Sequence, residues 1–404
     1  MSDTALKDLQ TILRGQLGDD LIVENYKTKN LLPPGENYGS KIISVHAIIK
    51  RHGKSNEHED LYLIAKLPPT SQFQREMFDS PFTFRKEIFM YDKILKYYRQ
   101  LEIESGDELS DISPVYYGSR LSMNTNVDFD DDAAILLENL KVRGYYSVER
   151  KIGFDLAHAQ LAIKAMARFH ALGMATKEKD PEFFDILKKK SKCLEFKGAE
   201  VWANILQERL QEIADDPEIS QYYEACVKVA QLGDEKAWTA IPTEPWSTII
   251  HSDFWANNIL FHKNNGTDKP DDIKFVDYQN YLFLSPLREL TFFLGSGLNH
   301  ETTDHINDMI DLYYFNLIEK LKKLNCNVDL YSRESFDEKI KEDGQIEFVH
   351  CLYMMKIVTM DIAADDPDAH DIRSLMEKPR SGKNYQNRLR DLVINFDKQG
   401  WLIK

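Results

Sequence analysis

Between residues 251 and 277 the chain carries a run of side chains able to do chemistry: His251-Ser252-Asp253-Phe254-Trp255-Ala256-Asn257-Asn258, and further on Asp277. Phosphoryl transfer asks a protein for few things. It needs a base that positions the attacking hydroxyl, oxygen ligands for a divalent cation, and a positive group on the phosphates that are not transferred. Asp253 is the candidate base, and Asn258 and Asp277 are the candidate ligands. Carboxylate and carboxamide oxygens suit Mg²⁺, which takes one or two protein carboxylates and fills its shell with water and phosphate oxygens. Each of the three residues alone reads more readily as a helix cap or a turn residue; their order is what points to chemistry. His251, in the same segment, reads more readily as a brace for the loop than as a base.

A hairpin must position these groups. Ile259 to Phe261 and Ile273 to Val276 are short apolar strands, and Asn264-Asn265-Gly266 marks the turn between them. Asp253 and Asn258 precede the first strand and Asp277 follows the second, so folding the hairpin carries all three toward one end. The spacing His-x-Asp-x-x-x-x-Asn, then a hairpin, then Asp follows the order of a kinase catalytic loop and its metal-binding aspartate.

That order calls for a lysine on the α- and β-phosphates of ATP and a glutamate to hold it. Two strands read between Lys41 and Lys66, with Ile43, Val45, Ala47 and Ile49 alternating in the first and Leu61, Leu63 and Ala65 in the second. Lys66 closes the second strand. From about Phe82 a helical pattern carries Phe84, Ile88, Tyr91 and Leu95, and Glu87 opens it as the expected partner of Lys66, with Glu76 as the alternative. The turn Gly35-Glu36-Asn37-Tyr38-Gly39-Ser40 precedes the first strand and is able to present backbone N–H groups to phosphates, although it is not a G-x-G-x-x-G loop. A further apolar strand, Ala133 to Leu137, runs into Glu138-Asn139-Leu140, a candidate hinge whose backbone would pair with adenine. Composition turns helical after that hinge. Asp155 reads as the cap of a helix with Gly173 just past its end.

These elements imply an α+β fold in two lobes: residues 1–140 as a small mixed lobe with an antiparallel sheet, and residues 141–404 as a larger, mostly helical one. With 404 residues and 43% hydrophobic content the chain can bury two modest cores. A formal charge of -15 argues against nucleic acid or an anionic membrane as main partner, since both need clustered Lys and Arg. No protein partner is inferable. The four cysteines are scattered without metal-ligand spacing, no stretch is long and apolar enough for a membrane span, and Met1 to Gly18 lacks an apolar leader core; a cytoplasmic location is expected. His170 reads as a satisfied core histidine. Met354-Met355, Trp202, Tyr222, Tyr223, Trp246 and Tyr281 are candidates either for an acceptor pocket or for core packing.

Taken together, Pro34-Gly35-Glu36-Asn37-Tyr38, the Lys66 strand, Phe84-x-x-Glu87 with Tyr91, Leu137-Glu138-Asn139-Leu140 with Gly144-Tyr145, Ala167-x-Phe169-His170-Ala171, the His251 to Phe261 loop and Asp277-Tyr278-Gln279 resemble the ecdysteroid kinase-like proteins of insects, also called choline-kinase-like, in the aminoglycoside phosphotransferase superfamily. The resemblance spans roughly residues 30 to 300. It implies a bilobed protein-kinase-like fold, Asp253 as catalytic base, Asn258 and Asp277 on Mg²⁺, and Lys66 with Glu87 on ATP. The acceptor it implies is a small-molecule alcohol, ecdysteroid-like or xenobiotic. Ser252 stands where that family more often has glycine, Asn139 where it has aspartate, and Tyr278 where it has phenylalanine.

Three alternatives accompany this reading. A protein kinase shares the loop spacing, but Asp277-Tyr278-Gln279 lacks the glycine of D-F-G and no A-P-E segment follows. A choline- or ethanolamine-type amino alcohol would also suit an acidic surface. A non-catalytic binder that sequesters an apolar ligand belongs to another class, against which the full set of Asp253, Asn258, Asp277 and Lys66 speaks.

Overall fold

A computed structural model of the chain describes residues 6–31, 39–51, 58–107, 110–194, 199–233, 235–264, 266–267, 269–361 and 382–404. They divide into two compact units. The first takes in described residues up to 95 together with 113–145; the second takes in residues 96–112, 146–361 and 382–404.

In the first unit, strands β1 (Leu21–Asn30), β2 (Lys41–Arg51), β3 (Glu59–Leu67), β4 (Tyr116–Arg120) and β5 (Ala134–Glu138) join in the order β1-β2-β3-β5-β4, every pair antiparallel. Alternation decides the faces. Ile43, Val45, Ala47, Ile49, Leu63, Ala65 and Leu67 lie buried against Leu9, Ile12 and Leu13 of helix α1 (Leu9–Leu17). Helix α1 approaches so closely that a Cβ on Gly118 of β4 would stand 2.6 Å from the Ile12 carbonyl oxygen. The opposite face of the sheet carries Ser44, His46, Tyr62 and Lys66. Strand β1 escapes the sequence pattern because a register shift at Val23/Asn25 breaks its period of two.

After β3 come α2 (Gln72–Met77) and α3 (Ser80–Phe89), a π-helical turn (Met90–Ile94) and α4 (Leu95–Glu104). Asp79 caps α3 by accepting from the Phe82 N–H, so the helix starts ahead of Phe82 and Glu87 lies in its second turn rather than at its opening.

The second unit is built around α5 (Leu156–Lys179), capped by Asp155. It is followed by α6 (Pro181–Lys190), α7 (Ala199–Asp215) and α8 (Tyr223–Ala230). Short strands β6 (Thr248–Ile250), β7 (Ile259–His262), β8 (Asp272–Phe275) and β9 (Leu282–Leu284) then pair as β6 with β9 and β7 with β8. Helices α9 (Pro286–Ser296), α10 (Ile306–Lys323), α11 (Arg333–Thr359) and α12 (Gly382–Lys398) complete the unit. No described helix is long and apolar enough to cross a membrane.

Buried charges in this unit come in sets. Glu102 of α4 takes a two-pronged bond from Arg168 of α5 at 2.7 and 2.6 Å and another from Lys320 of α10 at 2.5 Å. Burial raises the Glu102 pKa, and the two cations outweigh that and leave it lowered. The three helices are thereby tied at one point.

Gly173 does not end α5, which runs on to Lys179. It sits where the helix presses on β6: a Cβ there would meet Thr248 Oγ1 at 2.2 Å and the Tyr98 hydroxyl at 2.9 Å. The glycine is a close-approach residue. Gly173→Ala is expected to destabilise the protein by about 1–3 kcal/mol, the range for overpacking a core. Adding Thr248→Ala, which removes the clashing oxygen, is expected to make the double variant less unstable than the sum of the two singles. Urea unfolding of the four proteins measures this; additive losses would place the strain elsewhere.

Candidate active site

Strand β6 delivers the chain to His251, which is fully buried. Its Nδ1 accepts the Asp253 N–H at 3.3 Å and its Nε2 donates to the Val276 carbonyl at 2.9 Å. Burial lowers its pKa below 6.5 against the opposing pull of the Glu289 charge, which favours the neutral ring that this one-donor, one-acceptor pattern needs. Val276 immediately precedes Asp277, so one imidazole ties the loop to the end of the hairpin.

Ser252 has φ +67°, the left-handed region that favours glycine. It is held there by Glu289 of α9, whose Oε1 accepts the Ser252 N–H at 2.5 Å. Oε2 of the same carboxylate accepts the His251 N–H at 3.3 Å and His170 Nε2 at 2.8 Å. His170, buried within α5, uses its Nδ1 on the Tyr313 hydroxyl at 2.7 Å. Glu289 was missed by reasoning from sequence. The available signal was a charged pair, Arg288-Glu289, inside an otherwise apolar helix segment, because a buried carboxylate must find donors.

Asp253 and Asn258 clasp each other. Asn258 Nδ2 donates to Asp253 Oδ2 at 2.8 Å and to the Asp253 carbonyl at 2.9 Å. With its amide nitrogen so engaged, Asn258 keeps Oδ1, a neutral hard oxygen, as its other polar atom. The β7–β8 register pairs Ile259 with Phe275, and the Val276 N–H donates to the Asn258 carbonyl at 3.0 Å. Asn258 and Asp277 therefore stand at the same end of the hairpin, Asp277 with φ +62°. One carboxylate and one carboxamide oxygen at this end fit Mg²⁺ by donor chemistry.

In the first unit, Lys66 Nζ donates to Glu87 Oε2 at 2.5 Å, with the two side chains 3% and 1% exposed. Glu76 instead accepts from Gln72, one turn earlier in α2. Gly39 and Ser40 lead into β2; Gly35, Asn37 and Tyr38 lie outside the described residues. At the segment after β5, the Glu138 N–H donates to Val115 and the Asn139 N–H to Tyr62. The Glu138 carboxylate accepts from Arg143, and the Asn139 side chain caps the 3₁₀ turn Leu140–Arg143. Leu140 is buried.

Among the aromatic and methionine candidates, Trp246, Tyr281, Met354 and Met355 are buried core residues, Trp246 donating from Nε1 to Ser335. The residues that instead line a shallow hollow beside Ser252 are Trp238, Phe292 and His350, with Arg288 and Glu347 bonded to each other at its wall. His350 stacks on Phe292 with ring centres 4.0 Å apart.

Compared with known families, residues 34–326 match the ecdysteroid kinase-like family. No curated protein matches the chain. Solved structures that align with it include a spectinomycin phosphotransferase in complex with ADP and spectinomycin, at 13% identity over 93% of each chain with a TM-score of 0.44. A Plasmodium vivax ethanolamine kinase aligns at 12% identity over 88% of this chain and 82% of that one, with a TM-score of 0.37. A microcompartment-associated aminopropanol kinase aligns at 10% identity over 94% and 95%, with a TM-score of 0.43. The family match covers well over half of the 404 residues, and the chain belongs to the ecdysteroid kinase-like family as a phosphotransferase of the small-molecule kinase kind.

Proposed function

We propose that this protein transfers the γ-phosphate of ATP to a hydroxyl of a lipophilic alcohol, ecdysteroid-like or xenobiotic, with Asp253 as the base. The observation that carries the reading is the Asp253–Asn258 clasp on a loop whose backbone is held by Glu289. Asp253 orients the acceptor hydroxyl and takes its proton as the oxygen bonds to the γ-phosphorus. The bond from that phosphorus to the β-bridging oxygen breaks, and ADP leaves with the electron pair. Mg²⁺, when bound with the nucleotide, offsets the phosphate charge; Asn258 Oδ1 and the Asp277 carboxylate are the residues that would hold it.

Lys66, kept in place by Glu87, holds the α- and β-phosphates, and Gly35, Asn37, Tyr38, Gly39 and Ser40 supply backbone N–H groups to the phosphates. Glu138 and Leu140 face adenine with their main chain. On this division residues 1–140 handle the nucleotide and residues 141–404 carry the base and the acceptor site. The lipophilic acceptor is supported by family membership. ATP as donor accords with a cytoplasmic setting.

Asp253→Asn keeps the shape but removes the basicity. It is expected to lower kcat at least about 10²-fold, the contribution of a positioned base, while ATP affinity changes little. Turnover as fast as wild type would end this mechanism.

Lys66→Ala and Glu87→Ala each break one buried pair, so their effects on kcat/KM are expected to be far from additive in the double variant. Independent, multiplying losses would dissolve the proposed unit.

Asp277→Asn is expected to weaken Mg·ATP binding severely in calorimetry while metal-free ATP binding shifts much less. Equal Mg·ATP affinity in variant and wild type would remove Asp277 from the metal site.

A further inference from the structure

The segment between α8 and β6 places one large ring, Trp238, beside the loop that carries Asp253, and two helices form its seat. On α9, Arg288 and Phe292 are four residues apart; on α11, Glu347 and His350 are three apart, so each pair shares a helix face. The charges meet: Glu347 accepts from Arg288 Nε with one oxygen and from His350 Nδ1, at 2.9 Å, with the other. The rings meet as well, His350 lying 4.0 Å from Phe292 with planes 11° apart. Trp238 closes the assembly. Its ring centre is 4.8 Å from that of His350, with the planes at 84°, and 4.7 Å from the Arg288 guanidinium, which also donates to the Ala237 carbonyl. The hollow left between this assembly, Ile250 and Ser252 measures about 10 Å³, room for about one water.

Among the side chains around this hollow, Trp238 is the one carried by a surface segment; the others belong to β6, the loop after it, α9 and α11. Three residues further on, Ile241 keeps 89% of its surface in solvent, while Trp238 turns inward onto Ile250, Leu282 and Leu284. A stretch with so few packed side chains opens at a small fraction of the global unfolding free energy. Ser252 directly precedes Asp253, so a molecule seated here lies next to the residue that carries the base. We infer that Trp238 is the stopper of the acceptor site: the body of the acceptor lies against Phe292 and Ile250, and the Trp238 side chain sets the largest body admitted. The same geometry selects an uncharged acceptor. Both carboxylates at the hollow are committed, Glu347 to Arg288 and His350, and Glu289 to the loop N–H groups and His170. The Trp238 ring, the surface most able to attract an ammonium group, already carries a guanidinium. A cationic amino alcohol finds no free counter-charge here and a like charge beside it, whereas an alicyclic alcohol needs only apolar surface. The inference rests on the phosphotransfer reading above and adds Trp238 to it as the residue that selects the acceptor by size.

The test compares wild type, Trp238→Phe and Trp238→Ala as full chains, with melting curves to check that each is folded. The probes are cyclohexanol, a decalin alcohol and ecdysone, which rise in size without charge, together with choline. Calorimetry in Mg²⁺ buffer with ADP present gives their affinities, and turnover with ATP gives kcat/KM. Trp238→Ala is expected to raise the preference for the larger alcohols over cyclohexanol by about tenfold or more, in affinity and KM rather than in kcat, with Trp238→Phe in between. Choline is expected to bind more weakly than any of the uncharged alcohols that bind. Equal changes for every alcohol, or no change, overturn the stopper, and choline binding more tightly than all three alcohols overturns the uncharged class. If no alcohol binds to wild type or to Trp238→Ala, the hollow is not the acceptor site. In each of these cases Mg·ATP binding by wild type leaves the kinase reading standing; a folded wild type that binds no Mg·ATP takes down both.

Discussion

Glu289 is a carboxylate with 3% of its surface exposed, and burying such a group without donors would cost several kcal/mol. It has three donors: two successive backbone N–H groups of the loop at His251 and Ser252, and the ring of His170. The dependence is mutual. The His251 N–H is buried too and needs an acceptor, and the left-handed backbone of Ser252 costs on the order of 1–2 kcal/mol, which the charge-assisted 2.5 Å bond offsets. Helix α9, strand β6 and helix α5 therefore meet at one carboxylate, and the direction in which Asp253 leaves the loop is set by that junction.

The second support is His251. A neutral ring that accepts from the Asp253 N–H and donates to the Val276 carbonyl links the start of the loop to the end of the β7–β8 hairpin. Asp277, one residue further, also adopts a left-handed backbone. Two non-glycine residues with positive φ thus flank the clasp of Asp253 and Asn258. Such conformations persist only where the surroundings over-determine them, and here the surroundings are hydrogen bonds into buried groups. The same logic governs Lys66 and Glu87, whose charges are tolerable under burial because each is the other's partner.

Much of this was legible beforehand. The alternation of Ile43, Val45, Ala47 and Ile49 marked the buried face of β2, and the short apolar runs around Asn258 and Asp277 marked a hairpin, because a two-residue period is a local property of the chain. Strand β1 was not legible, since its bulge at Val23/Asn25 breaks that period. Gly173 was read as a helix end because glycine usually carries that meaning; its reason here is the nearness of Thr248, some 75 residues later in the chain, which no local pattern encodes. Asn139, in the segment read as a hinge, also caps a 3₁₀ turn, a side-chain role the sequence reading did not include.

The sequence by itself determined which chemistry is available: the types and order of Asp253, Asn258, Asp277, Lys66 and Glu87, and the α+β alternation that carries them. Spacing along the chain is enough for that, because loop and hairpin geometry follow from a few neighbouring residues. Only the tertiary structure decided which glutamate takes Lys66, choosing Glu87 over Glu76, and that Glu289 and His251 hold the loop in its strained form. Those choices depend on which buried polar groups come within about 3 Å of one another, and burial is a property of the packed molecule rather than of any segment of it.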